Sequence, residues 1–339
     1  MYIALCLLQS FQAKDINQYI FVLTYPIIMM FVFYYFYTYR NSINFNKTFK
    51  TMTLIVIYGG ITQYLLNSLF GYQLALGGID TTYYLRGTSV EGRMRGFFLE
   101  PNWFGLFLTF TFLGYALTLS RVKQSDIVLF VAVMVCAFLS GNRLSNYFLI
   151  ITFAVTFFSK RSPRLTLLAV VLLGLLPLLY FISSLDFFFA QTIDTDDRSL
   201  AARTITASRT ISYMISNFEW YNWLFGHGLS NWSHIALDNG LTIRSEALST
   251  GQSLRDTSES YILMIEHGVL GCLILLIDSV LFIKRSYSKG RAIAPYAAIA
   301  SMFLLTSTFL YPIFFFMMYL APYLLIRCYF LVNQRPKYQ

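Results

Sequence analysis

Apolar residues in this chain come in long, nearly unbroken runs. Polar positions are gathered into the gaps between them. A helix that crosses a bilayer needs about 20 mostly apolar residues. Nine segments answer to that description: about 19–39, 52–71, 97–119, 126–141, 143–159, 165–184, 259–283, 292–310 and 312–333. Residues 1–10 (MYIALCLLQS) are apolar but short. They read either as a stunted first span or as the remnant of a misplaced start, and counting them gives ten. They carry no basic leader and no small-residue cleavage site, so no cleavable signal peptide is expected. The pattern predicts an all-α integral membrane protein, one multi-span helical bundle over residues 1–339. A large loop at 185–258 interrupts it. Within that loop Thr204–Trp223 alternates apolar and polar residues in a way that suits an amphipathic helix at the membrane surface.

Composition sharpens this. The 339 residues are 57% hydrophobic and only 12% charged, against about 45–50% and about 25% in soluble domains. Such a chain cannot cover its apolar surface with polar groups. A soluble enzyme, a disordered protein and a nucleic-acid binder are all poor fits. The net charge of +9 would otherwise suggest nucleic acid, but its distribution points to the positive-inside bias. Arg40, Lys47 and Lys50 follow the first full span, Arg121 and Lys123 the third, Lys160, Arg161 and Arg164 the fifth. Lys284, Arg285, Lys289 and Arg291 follow the seventh, and Arg335 and Lys337 end the chain. All of these can share one side. Asp126 is the one acidic residue bordering them. Lys14, beside Asp15, falls on the other side as a small exception.

The opposite side carries a loop at 72–96, a tight turn at 141–143 and the long loop. Four clusters there have chemical potential. In Arg93–Gly105 (RMRGFFLEPNWFG), Pro101 suits a first helical turn with Glu100 near its cap. Arg86, Arg93 and Arg95 are either solvated or placed for an anion, since guanidinium forks match phosphate oxygens. In LSGNRLSN, Arg143 sits between two apolar runs, where a charge needs a partner, a polar cavity or a route to the interface. In the third cluster Arg203 and Arg209 precede LFGHGLSN. There His227 could serve as a base, a proton donor or a structural group, and Gly226 and Gly228 permit close backbone approach. The fourth, DTSESYILMIEHGVLG, brings Asp256, Glu259 and Glu266 to the mouth of a span. Buried carboxylates can act as bases near neutral pH, while Asp256, Ser258 and Glu259 also suit a helix N-terminus.

Other chemistry finds little footing. Cys6, Cys136, Cys272 and Cys328 lie singly in apolar runs and read as packing residues. His227, His234 and His267 lack zinc spacing, and P-loop and nucleophile-elbow signatures are absent. Asp194-Thr-Asp196 is a literal DxD that reads as a solvated acidic patch rather than a cation site. No metal site and no cofactor are expected. No inverted repeat or heptad array is evident, which weakens transporter and scaffold readings.

Taken in order, these clusters resemble the bacterial O-antigen polymerase and ligase superfamily, the Wzy polymerases and WaaL ligases. RMRGFFLEPNWFG resembles that family's R-x-x-G…PN segment, and LSGNRLS its LSxSRG turn. ASRTISYMI…WLFGHGLSN resembles its R-x-x-x-(W/Y)…LxGxG stretch, and DTSESYILMIEHGVLG its entry helix. The resemblance implies a GT-C-like, metal-independent glycosyltransferase of the bacterial inner membrane, its active site facing the periplasm and the 185–258 loop periplasmic. The donor would be an undecaprenyl-pyrophosphate-linked oligosaccharide, with a chain-length regulator and a flippase as implied partners and no nucleic acid. Arg143 and Arg209 match arginines that bind the donor pyrophosphate. Glu259 or Asp256 would assist the acceptor hydroxyl, and Arg93, Arg95, Glu100, Asn102, Arg203 and His227 would line the substrate. Ligases carry a histidine where this chain has Thr257 and Ser258, so the Wzy branch is favoured. Ligation to lipid A–core and polysaccharide-lipid transport are the alternatives.

Overall fold

The computed structural model describes residues 2–70, 92–98, 101–159, 161–189, 198–242, 258–310 and 320–332, and among these every regular element is helical. In chain order the helices are α1 (Tyr2–Leu8), α2 (Ile16–Thr38), α3 (Phe45–Phe70), α4 (Pro101–Thr118), α5 (Gln124–Leu139), α6 (Arg143–Phe158) and α7 (Pro163–Phe189). They continue with α8 (Arg198–Asn217), α9 (Trp220–Phe225), α10 (Trp232–Asp238), α11 (Glu259–Lys289), α12 (Ala294–Leu310) and α13 (Ala321–Val332). All nine apolar segments are helical over most of their described residues. Three helices are long and apolar enough to cross a membrane: α2, residues Phe45–Leu69 of α3, and α11. Among the other apolar helices, α5, α6, α12 and α13 are shorter, at 12 to 17 residues. The 16 residues of α5 and of α6 rise about 24 Å at 1.5 Å each, against a hydrocarbon layer of about 30 Å.

Local chemistry sets several helix ends. Asp15 caps α2 by accepting from the backbone N–H groups of Asn17 and Gln18 at 2.9 and 3.2 Å. Asp126 reaches back to the Lys123 N–H at 2.8 Å and accepts from the Tyr115 hydroxyl at 2.7 Å. A lone carboxylate among basic loops is thereby explained as a helix cap. The 97–119 segment is shorter than expected: the helix opens at Pro101, and Phe97 and Phe98 belong to the preceding turn. Proline suits a first helical position because its missing N–H would have no partner there.

The chain forms two compact units. The first is Met1–Phe31, Leu173–Leu281 and Met302–Met317; the second is Val32–Leu172, Phe282–Ser301 and Met318–Gln339. In the second unit α4 is the central element. Fifteen of its 18 residues are buried, as expected of a helix apolar on every side, and it packs against α3, α5, α6 and α13.

In the first unit the described residues of the region expected as a long loop are largely helical. The amphipathic helix α8 starts at Arg198 and stops at Asn217, short of Trp223. The chain breaks there because the Phe218 ring packs against a core of Met214, Trp232, Ile235 and Ile265. Glu219 is extended and opens α9. Residues 2–12 belong to this unit as well, with Cys6 packed beside Tyr19, Val22 and Leu229. The Lys14 ammonium pairs with Asp238 at 3.1 Å.

Candidate functional site

The four sequence clusters fold into two junctions, one in each unit. In the second unit the 92–98 turn meets the α5–α6 corner. The Arg93 Nε–H donates to the Ser140 carbonyl at 2.7 Å, and the Met94 N–H donates to the Leu139 carbonyl at 3.0 Å. Gly141 makes this approach possible, since a Cβ there would lie 2.6 Å from Arg93 Nε. On the other flank Gln63 of α3 accepts from the backbone N–H groups of Arg95 and Gly96 at 3.0 and 3.2 Å. Arg95 is buried, and loss of solvent lowers its pKa from the usual guanidinium value.

Asn142 closes the corner. Its Oδ1 accepts from the Ser145 N–H at 3.1 Å and caps α6, while its Nδ2 donates to the Asn102 carbonyl in the first turn of α4, also at 3.1 Å. Gly105 leaves room, since a Cβ there would fall 2.6 Å from Ser145 Oγ and 2.8 Å from Asn142 Nδ2. Arg143 is the first residue of α6 and is exposed. It therefore places a guanidinium beside a helix N-terminus, where the backbone dipole favours an anion. A groove of about 440 Å³ lined by Phe153, Ala154, Phe157, Phe158 and Arg161 lies at the other end of α6 and shares no residue with this corner.

In the first unit α11 is broken at Gly268, whose φ of 60° and ψ of −159° interrupt the helix. The break frees carbonyls that the following turn would otherwise engage. The His227 N–H donates to the Ile265 carbonyl and the Gly228 N–H to the Glu266 carbonyl, both at 2.8 Å. Contact here is backbone on backbone. A Cβ on Gly226 would lie 2.4 Å from the Glu266 carbonyl carbon, and one on Gly268 would lie 2.6 Å from that of Leu224. Gln9 ties the N-terminal segment to the same spot. Its Nε2 donates to the Phe225 carbonyl and, at 3.4 Å, to that of Glu266, and its Oε1 meets His267 Nδ1. Asn231 adds bonds to the Lys14 N–H at 3.1 Å and to the Gln12 carbonyl at 2.8 Å.

Polar groups gather around this junction. Glu259, Glu266 and His267 are fully buried, and a Glu266 carboxylate oxygen accepts from the Trp232 N–H at 3.3 Å. His227 Nε2, Ser230 Oγ, His234 Nε2, Gln12 Oε1 and Gln18 Oε1 are buried without a hydrogen-bond partner among the described residues. Ser230 holds a φ of 71°, a left-handed backbone uncommon for a non-glycine residue. Burial, and then the charge of Lys14, lower the His227 pKa, so the ring is neutral near pH 7 and can accept a proton or a hydrogen bond. Arg209 is exposed on α8 and donates to the Gly240 carbonyl at 2.9 Å.

The expected site residues thus divide. Arg93, Arg95, Asn102 and Arg143 lie in the second unit; Arg209, His227 and Glu259 lie in the first. Arg86, Glu100, Asp256, Thr257 and the Asp194–Asp196 pair fall outside the described residues, as does the side chain of Arg203. Glu259 opens α11 directly after Ser258. The Ser258 hydroxyl is shared with Ser260 at 2.8 Å and reaches the Thr308 carbonyl at 3.3 Å. Gln9, Gln63, Asn142 and Asn231 were missed as organising residues. Their signal was a polar amide inside or beside an apolar run, where an unpaired amide is costly.

Among the described residues no three His, Cys, Asp or Glu side chains come together as a metal site. The four cysteines are free thiols. No protein-family model, curated protein or solved structure matches the chain.

Proposed function

We propose that this protein is a multi-span membrane glycosyltransferase acting on a lipid-linked pyrophosphoryl glycan. More particularly, we read it as a Wzy-type polymerase that passes the growing glycan from undecaprenyl pyrophosphate onto a new lipid-linked repeat unit. The observation that carries this is the pairing of the four clusters. Residues 93–105 fold onto 139–146, and 224–231 fold onto 259–271, each through glycines and hydrogen bonds made by the family-like positions themselves. Motifs that were only an ordered series become two junctions; Arg143 stands exposed at the first, while Arg209 is exposed on α8 of the other unit, bonded to the Gly240 carbonyl.

The chemistry asked of such a site is modest. The acceptor hydroxyl oxygen bonds to the donor anomeric carbon as that carbon's bond to the pyrophosphate oxygen breaks, which inverts the anomer. As the resemblance implies, Arg143 or Arg209 would stabilise charge building on the departing pyrophosphate. Glu259, buried at a helix start, would take the acceptor proton. Buried amide and hydroxyl groups around His227 and Ser230 suit sugar hydroxyls. At the position of the ligase histidine stand Thr257 and Ser258. Ser258 spends its hydroxyl on Ser260 and Thr308, which disfavours ligation.

The test is purified full-length protein given undecaprenyl-pyrophosphate repeat unit alone, with EDTA, and products resolved by size. A ladder of whole repeat units is expected. Transfer only after addition of lipid A–core would make the protein a ligase. No product from folded protein with matched substrate would overturn the glycosyltransferase reading.

A further inference from the structure

α9 presents an unusual surface. Its sequence, Trp-Tyr-Asn-Trp-Leu-Phe, carries no charge. Trp220 is 72% exposed, and Tyr221, Leu224 and Phe225 are exposed beside it, as is Ile215 at the end of α8. Asn222 is buried, and Trp223 packs against the Trp232 core. Large apolar groups standing together mark a contact surface.

The docking point fixes the height of this surface. The carbonyls of Trp223 and Leu224 lie 2.6 Å from where a Gly268 Cβ would stand, so α9 sits at the level of Gly268 along α11. The exposed apolar stripe of α11 (Leu273, Leu276, Ile277, Val280, Leu281) begins five residues further on. The chain turns basic at Lys284, 16 residues beyond Gly268. At about 1.5 Å per residue that is about 24 Å, less than the roughly 30 Å of a hydrocarbon layer. If Lys284 and Arg285 mark one membrane face, the opposite boundary falls at or beyond the level of α9.

We propose that α9, with Ile215, is an interfacial anchor seated where the acyl chains meet the headgroups in the leaflet opposite the basic loops. Tryptophan and tyrosine favour that boundary, with ring bodies among acyl carbons and polar edges among headgroups. The anchor holds the Gly226–Gly228 loop and Arg209 on a unit seated at the depth where a lipid-borne headgroup lies. The inference goes beyond the glycosyltransferase reading and stands without it; it requires only that α11 spans the bilayer.

The test uses full-length protein in nanodiscs containing lipids brominated near the top of the acyl chains. Comparing wild type with Trp220→Phe isolates the Trp220 emission, while Trp232, fully buried, serves as the unresponsive reference. Ile277→Trp on the exposed α11 stripe reports the span itself. The Trp220 component should lose most of its intensity to bromolipid and little to aqueous iodide. Quenching by iodide alone would place α9 in water. Quenching by neither would mean that protein, a second copy or another partner, covers it. Either result overturns the anchor if Ile277→Trp is quenched by bromolipid. If Ile277→Trp is not quenched, the spanning assumption itself fails and the proposal falls with it.

Discussion

The two junctions join distant motifs by opposite means. At Gly268 the first unit docks backbone to backbone: the N–H groups of His227 and Gly228 meet carbonyls released by a helix break, and glycines clear the space. At Gly141 the second unit docks mainly through side chains: beside one backbone bond from Met94 to Leu139, Arg93 and Asn142 reach carbonyls of neighbouring elements across gaps left by Gly141 and Gly105. A backbone junction leaves its side chains available, so His227 is not consumed in making it. A side-chain junction employs its polar groups structurally, and among its described polar side chains only Arg143, one residue beyond the cap, remains exposed. Residues that look equally functional in sequence therefore differ in what they are free to do.

The sharpest way to break this contrast is at the glycines. Gly226 (φ 69°, ψ −163°) and Gly268 (φ 60°, ψ −159°) occupy a backbone region nearly closed to other residues. Gly226→Ala and Gly268→Ala should each destabilise by roughly 3–5 kcal/mol, combining about 1–3 kcal/mol of strain with two lost hydrogen bonds at about 1 kcal/mol each. Thermal unfolding in detergent reads this directly. A Gly226→Ala melt indistinguishable from wild type would show that the loop does not dock as described.

A smaller effect is expected where a side chain carries the junction. Asn142→Ala removes both the α6 cap and the bond to the Asn102 carbonyl, and should cost about 2 kcal/mol. Asn142→Asp keeps the cap acceptor and loses only the Nδ2 donor, so it should cost about half as much. If Asn142→Ala matches wild type, the second junction is incidental packing.

Much of the architecture could be read from the apolar runs, because lipid-sized hydrophobic stretches are a strong and local signal. The start of α4 was only partly so: Pro101 marked a first helical turn, while the apolar run began at 97. The end of α8 was not: periodicity continued toward Trp223, while Phe218 was drawn off by tertiary packing against Met214 and Trp232. Gln9 was hidden for a similar reason. Nothing in MYIALCLLQS indicates that its amide will brace a helix break more than 200 residues away. Of the candidate site, the glycines were legible because close approach demands them, and Arg143 and Arg209 because charge in an apolar setting stands out. The pairing of motifs was not legible, since it depends on which carbonyls a kink sets free.

The smallest effect on stability belongs to the residues on which the proposed chemistry leans most. Arg209 makes one exposed hydrogen bond, to the Gly240 carbonyl, so Arg209→Ala should change stability by less than about 0.5 kcal/mol. Arg143 should do even less for the fold. It is exposed at the first position of α6, where a cation opposes the helix dipole. Removing it should leave stability unchanged or raise it by about 0.3–1 kcal/mol. A group that contributes nothing to its own helix needs another reason to be there, and an anionic ligand at that helix start would supply one. Arg143→Ala and Arg209→Ala should therefore melt with wild type yet fail to extend the glycan, whereas Arg143→Lys should regain part of the activity by restoring charge without the fork. Full chain extension by both alanine variants would remove the arginines from the reaction. Loss of extension together with a lowered melt would mean that they act on the fold instead.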